Sequence, residues 1–198
     1  MGSNAEKGDV MKTSILSATD TLREEHRLIE RLLRVLDQAA GKVERGEEVS
    51  PTVFARALDF IRNFADRCHH GKEEDCLFPA LERHGLPSQA GPLAVMLSEH
   101  EEGRQYVRGL AHALEQWQKG DKSAARAAAR NARGYAALLA SHIPKEDNIL
   151  YPMGENILPE GVKKELLEAY EGVEKRLGES KHHQYIHMIE ELEREMKG

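Results

Sequence analysis

The chain has 198 residues, with 28 Lys+Arg against 34 Asp+Glu for a formal net charge of −6, and it is 40% hydrophobic but only 5% aromatic. That length suits one domain with a terminal appendage. The acidic balance excludes a nucleic-acid footprint or a polybasic membrane patch, and no run approaches the ~18 apolar residues of a spanning helix. No basic stretch leads into an apolar run at the N-terminus, and Cys68 and Cys76 are the two cysteines. A reduced, cytoplasmic protein is the expectation. Ala, Leu, Glu, Lys and Arg outnumber the β-branched residues, which is a helical composition.

Residues 1–18 are polar and irregular and predict a flexible N-terminal segment. A first helix opens near Asp20 and Thr21, with Glu24 placed as in a capping box. Its apolar stripe runs Leu22, His26, Ile29, Leu33, Leu36, Ala40, in the alternating steps of four and three of a bundle helix. Ser50-Pro51 starts a second helix, whose face carries Phe54, Leu58, Ile61, Ala65, His69, Glu73, Cys76 and Ala80, with a kink at Pro79. A third helix runs from about Leu93 to Lys119 with His100 in its stripe. The fourth is Ala-rich, carries Leu138, Leu139, His142, Glu146 and Ile149, and is kinked by Pro144. Two more helical segments, about 162–177 and 181–196, flank Gly178. No strand pattern occurs. The reading is an all-α, up-down-up-down four-helix bundle over residues 19–158, with a C-terminal helical appendage over 159–198.

Ten histidines are the informative count. His26, His69, His100 and His142 sit one per bundle helix, each inside an apolar stripe. One such histidine is ordinary core; four together point to ligation, since neutral imidazole binds iron, zinc and copper. His69-x-x-x-Glu73 and His142-x-x-x-Glu146 place an imidazole and a carboxylate one turn apart on the same face. An unpaired Glu there is costly, and a cation would satisfy it. The pairs belong to an internal repeat: residues 69–79, HHGKEEDCLFP, align without gaps to 142–152, HIPKEDNILYP. A pseudo-twofold bundle offering the same pair from helices two and four can hold two metals. His70 and Glu74 share the His69/Glu73 spacing, but on a helical wheel His70 lies with Asn63, Asp66, Arg67 and Glu74. The repeat therefore selects His69 and Glu73 and leaves His70 behind the site or facing solvent.

The segments REEHRLIE (23–30), HHGKEEDCLFP (69–79), SEHEEGR (98–104) and HIPKEDNILYP (142–152) together resemble the hemerythrin-like, or HHE cation-binding, family, in its bacterial four-His/two-Glu form. The resemblance implies a non-haem di-iron centre with an oxo or hydroxo bridge. His26, His69, His100 and His142 would be terminal ligands and Glu73 and Glu146 bridges; zinc or manganese would suit the same donors. It further implies a role in binding, sensing or detoxifying O2, NO or peroxide, or in handling iron for iron-centre repair. The alternatives are a di-iron enzyme (NO reductase or peroxidase) and an iron storage or donor module. The implied partners are a small diatomic or peroxide ligand and a redox protein, with no nucleic acid and no membrane. Oxygen carriers of the family place a second His one turn after the third-helix His, where this chain has Arg104. Two roughly octahedral irons offer about 12 positions, of which these ligands and one bridge fill about ten. Glu30, His70, Tyr106, His183 and His187 are candidates for a further ligand. Cys68 and Cys76 read as core, and Ile186, Ile189 and Leu192 as the packing face of the tail.

Overall fold

A computed structural model describes residues 17–197. The flexible segment expected over 1–18 lies outside the described residues except for Ser17 and Ala18. Helix α1, Ala18–Glu44, starts earlier than the Thr21/Glu24 pattern suggested. Its capping box is Ser17 with Asp20, whose backbone N–H donates to Ser17 Oγ at 3.1 Å.

Helix α2 is continuous over 51–83 but changes its winding along the way. It is α-helical over Pro51–Phe60, π-helical over Ile61–His70 and again over Glu73–Leu77, and α-helical over Phe78–Arg83. Helix α3 is Gly91–Gln118. Helix α4, over 124–157, repeats the device: α-helix Ala124–Lys145, π-helical Glu146–Leu150, α-helix Tyr151–Ile157. Each short π segment ends two residues before a proline, Pro79 or Pro152. Proline gives no N–H to the ladder, and its ring crowds the carbonyl four residues back, so a wider turn relieves the clash. The Leu-aromatic-Pro ending shared by the two repeats thus places a π turn at each Glu.

Helices α5, Glu160–Leu177, and α6, Glu179–Lys197, complete the six helices of the described residues, which contain no strand. Short connections make α1 to α4 antiparallel neighbours, with α1 and α3 each packed on both α2 and α4. The α3–α4 contact is close: a Cβ on Gly134 would sit 2.3 Å from Cε1 of Tyr106. Helices α5 and α6 lie against α1 and α2. Tyr185, Ile189 and Leu192 enter the core, with Ile186 at its edge.

The apolar interior divides into two layers. One contains Ile29, Leu32, Leu36, Phe54, Ile61, Ala65, Leu110 and Leu139. The other contains Leu22, Leu77, Leu81, Leu93, Met96, Leu150 and Tyr151. Along every bundle helix the passage from one layer to the other crosses a polar level: His26 on α1, His69 to Glu73 on α2, His100 on α3, His142 and Glu146 on α4.

Candidate metal centre

At this polar level His26, His69, His70, Glu73, His100, His142 and Glu146 are all buried, none more than 4% exposed. Ligand-capable atoms of His26, His69 and Glu146 lie within 4.8 Å of one another. The same holds for His70, His100 and His142, and for Glu73, His100 and Glu146. Oε2 of Glu146 is 3.1 Å from Nε2 of His142 and 3.2 Å from Nε2 of His26, while Oε1 is 3.8 Å from Nε2 of His100. Glu73 Oε2 is 3.6 Å from Nε2 of both His69 and His100, and Glu73 Oε1 accepts a hydrogen bond from Tyr151 at 2.7 Å.

Behind each imidazole stands a carboxylate. Nδ1 of His26 pairs with Asp147 at 2.7 Å, of His69 with Glu25 at 3.0 Å, of His100 with Glu74 at 2.6 Å, and of His142 with Glu99 at 2.9 Å. Each carboxylate is held in turn by a cation: Asp147 by Arg27, Glu25 by Lys72, Glu74 by Arg104, Glu99 by Lys145. These partners obey the sequence repeat. Glu25 and Glu99 each precede the histidine of their own helix and serve the one that starts a repeat on the next helix. Lys72 and Lys145 occupy the same repeat position, as do Glu74 and Asp147. A carboxylate on Nδ1 assigns the proton there and leaves Nε2 as a lone-pair donor facing inward.

Whether this set fits metal ions is decided by its unsatisfied atoms. Both oxygens of Glu146 and Oε2 of Glu73 are buried without a well-formed hydrogen bond among the described residues. The nearby ring nitrogens approach them but do not aim a hydrogen at them. Nε2 of His100 and of His142 face each other at 3.2 Å; with both Nδ1 protonated, two lone pairs point together. Inward oxygens and nitrogens with no donor between them are what divalent or trivalent cations satisfy.

Protonation follows from the same surroundings. Burial and the charge of Glu146 push the Glu73 carboxyl well above the usual carboxylate range. Burial acts the same way on Glu146, but His100, His142 and His26 outweigh it and hold that carboxyl well below the range. Burial pushes His69 down to about 4, and together with His100 it takes His70 well below the usual imidazole value. For His26 and His100, burial is outweighed by Asp147 and Glu146, and by Glu146 and Glu74, so both are raised.

Residues 17–154 match the hemerythrin HHE cation binding domain. The chain belongs to the hemerythrin HHE cation-binding family. Domains of this family bind metal cations, commonly iron. The chain is also 22% identical over 182 residues to uncharacterized proteins of Mycobacterium tuberculosis and Mycobacterium bovis, covering 91% of this chain and 71% of each relative.

Against the HHE pattern, the fold brings together all six residues chosen from the sequence. It overturns the solvent-facing alternative for His70 and its place on a polar face. The helical wheel that put His70 on a polar face assumed α-helical winding, whereas Ile61–His70 is π-helical. More residues per turn let adjacent His69 and His70 both turn inward. His70 is 4% exposed and stacks on His100, ring centres 3.8 Å apart. Its supposed polar-face companions, Asp66 and Glu74, are the carboxylates behind His70 and His100, joined by Arg104. Glu30 pairs with Arg27, Tyr106 packs on α4, and His183 and His187 are exposed on α6; none enters a ligand group. Cys68 is buried and Cys76 partly so, and neither joins a ligand group. No described helix is long and apolar enough to cross a membrane.

Proposed function

We propose that this chain is a non-haem di-iron protein that binds and processes O2, NO or peroxide. His26, His69, His100 and His142 would be terminal ligands, and Glu73 and Glu146 would bridge the two ions. The observation that carries the reading is Glu146, a buried carboxylate with both oxygens unpartnered and three imidazole Nε2 atoms within 3.8 Å. When bound, two irons supply Lewis acidity, one-electron redox steps and open coordination positions for a small ligand.

The residues of the chain supply the rest. Asp147, Glu25, Glu74 and Glu99 fix the ring orientations and raise the basicity of the inward nitrogens. Tyr151 donates to Glu73 at 2.7 Å, stacks on His26, and is held protonated because burial and the two carboxylates push its phenol well above the usual value. It can therefore orient Glu73 without competing as an anionic ligand. The apolar layers above and below keep bulk water from the site, which strengthens every electrostatic interaction inside it.

The test is to load the purified chain with ferrous iron under argon, add O2, NO or peroxide, and follow the near-ultraviolet and visible spectrum. A charge-transfer band that depends on iron and on the added ligand supports the reading. A chain that takes up iron but whose spectrum ignores all three ligands would leave only storage or donation and refute it.

A further inference from the structure

Helices α5 and α6 lie beyond residues 17–154, the part of the chain that matches the HHE domain. Yet α5 reaches the candidate centre through one side chain. We infer that Glu174 of α5 is a positioning residue for His69, acting through Lys72 and Glu25, so that docking of α5 and metal binding at His69 strengthen one another. The inference rests on the two-metal reading above and adds to it an element from outside the bundle.

Three observations carry it. The contacts form an unbroken chain: Nδ1 of His69 meets one oxygen of Glu25 at 3.0 Å, Nζ of Lys72 donates to the other at 2.6 Å, and the same Nζ donates to Oε1 of Glu174 at 2.5 Å. Lys72 is wholly buried, whereas the Glu174 side chain is 51% exposed, so this chain leads from the polar level to the surface. Helix α5 is also pressed onto the same stretch of α2. Tyr170 and Val173 are buried, a Cβ on Gly71 would lie 3.6 Å from Cγ1 of Val173, and Nζ of Lys72 stands 5.6 Å from the centre of the Tyr170 ring. The second repeat does without the device. Lys145 pairs with Glu99 and is partly exposed, where Lys72 is covered by α5. A lysine needed only to support Glu25 would resemble Lys145, and one needed only to dock α5 would not touch Glu25.

The sign of the coupling follows from two carboxylates sharing one ammonium. Glu174 draws the charge of Lys72 away from Glu25, which leaves Glu25 a stronger acceptor for the Nδ1–H of His69. A more strongly held Nδ1–H makes Nε2 the better donor to a cation. Conversely, a cation on Nε2 makes Nδ1–H more acidic, draws Glu25 toward His69 and releases Lys72 toward Glu174, which tightens α5. By linkage the two effects are equal in free energy. Occupancy of the His69 half of the centre is thereby transmitted to the surface at α5.

The experiment compares Glu174→Gln, which keeps a hydrogen bond to Lys72 but removes the charge, with Glu171→Gln on the same helix, whose side chain faces Lys175 instead. In the apo chain, proton–nitrogen NMR of the imidazole groups should show the His69 Nδ1–H moving upfield in Glu174→Gln, with the His142 resonance unmoved and neither moved in Glu171→Gln. Chelator competition should show iron binding about 3–10-fold weaker in Glu174→Gln alone, a smaller loss than removal of a carboxylate that touches the imidazole itself. In the wild-type chain, amide exchange across Glu160–Leu177 should slow when iron is added, and Glu174→Gln should remove most of that slowing. A folded Glu174→Gln with the His69 resonance unmoved and the affinity unchanged would overturn the inference, leave the two-metal reading intact and reduce Glu174 to a docking contact. A wild-type chain that takes up two irons without slower exchange in α5 would overturn it equally, with no variant needed. A folded wild-type chain that takes up no metal would overturn both readings.

Discussion

Nζ of Lys72 lies 2.6 Å from Oε1 of Glu25, and the lysine is wholly buried. The other oxygen of Glu25 receives Nδ1 of His69, so this ion pair is the support of a candidate ligand and not a surface bridge. Its counterpart in the second repeat, Lys145 with Glu99, has a lysine side chain 34% exposed. The two repeats therefore differ in cost. Lys72→Met should destabilise the apo chain by about 3–5 kcal/mol, because it strands a buried carboxylate. Lys145→Met should cost about 1 kcal/mol or less, because water can replace the lysine. Urea unfolding of both variants checks the contrast, and equal losses would show that the buried pair has no special role.

Loss of the carboxylate behind an imidazole should weaken metal binding without removing a ligand. Glu25→Gln and Glu99→Gln are each expected to lower iron affinity about 10–100-fold. Glu30→Gln, on the same helix but in no ligand group, should leave it unchanged. Competition against a chelator measures all three.

Cys68 should behave as an inert core thiol. Burial, with the charge of Glu25, pushes it up to about 12, so almost none is thiolate at neutral pH. Cys76 is partly exposed and raised less. Alkylation of the native chain with iodoacetamide, read by mass spectrometry, should modify Cys76 first and Cys68 only on unfolding.

Much of this was legible in the residues. His26, His69, His100 and His142 fall into helical stripes by counting, and the repeat distinguishes Glu73 and Glu146 from nearby acids. The supporting groups also left a trace: the shared Lys72/Lys145 and Glu74/Asp147 positions of the repeat are the cations and carboxylates of the outer layer. Glu25 and Glu99 were harder, since a Glu beside a His on a helix wheel looks solvent-facing. His70 was misplaced because a wheel drawn at 3.6 residues per turn fails over a π-helical stretch, and no residue of Ile61–His70 announces that winding. The winding depends on tertiary packing and on polar groups that satisfy the two rings: Glu25 of α1 for His69, and for His70 the Asp66 of its own helix, held by Arg104 of α3.

Metal should stabilise the fold, and the gain should shrink in acid. The folded apo chain holds His69 at about 4, against about 6.5 unfolded. In that window the unfolded chain binds more protons, so this group withdraws stability as pH falls from about 6.5 toward 4. His26 and His100 are raised, so they act in the opposite sense: their contribution is full below about 6.5 and is lost as pH rises through their folded values. Protons on those two compete with metal for the same nitrogens. Thermal unfolding by circular dichroism, with and without iron, should show the largest gap near pH 8 and a narrower one near pH 6. A gap that widens on acidification would mean that these imidazoles are not the ligands.

On the proposed reading, Glu73 and Glu146 bridge two ions inside the bundle. Mössbauer spectroscopy of the chain loaded with iron-57, alongside iron and protein quantification, tests it most directly. About two irons per chain are expected, with the oxidised form diamagnetic at low temperature through antiferromagnetic coupling across the bridge. In Glu146→Ala the coupled species should disappear. A wild-type chain with a single iron and an uncoupled high-spin ferric signal would mean that Glu73 and Glu146 bridge no pair of ions.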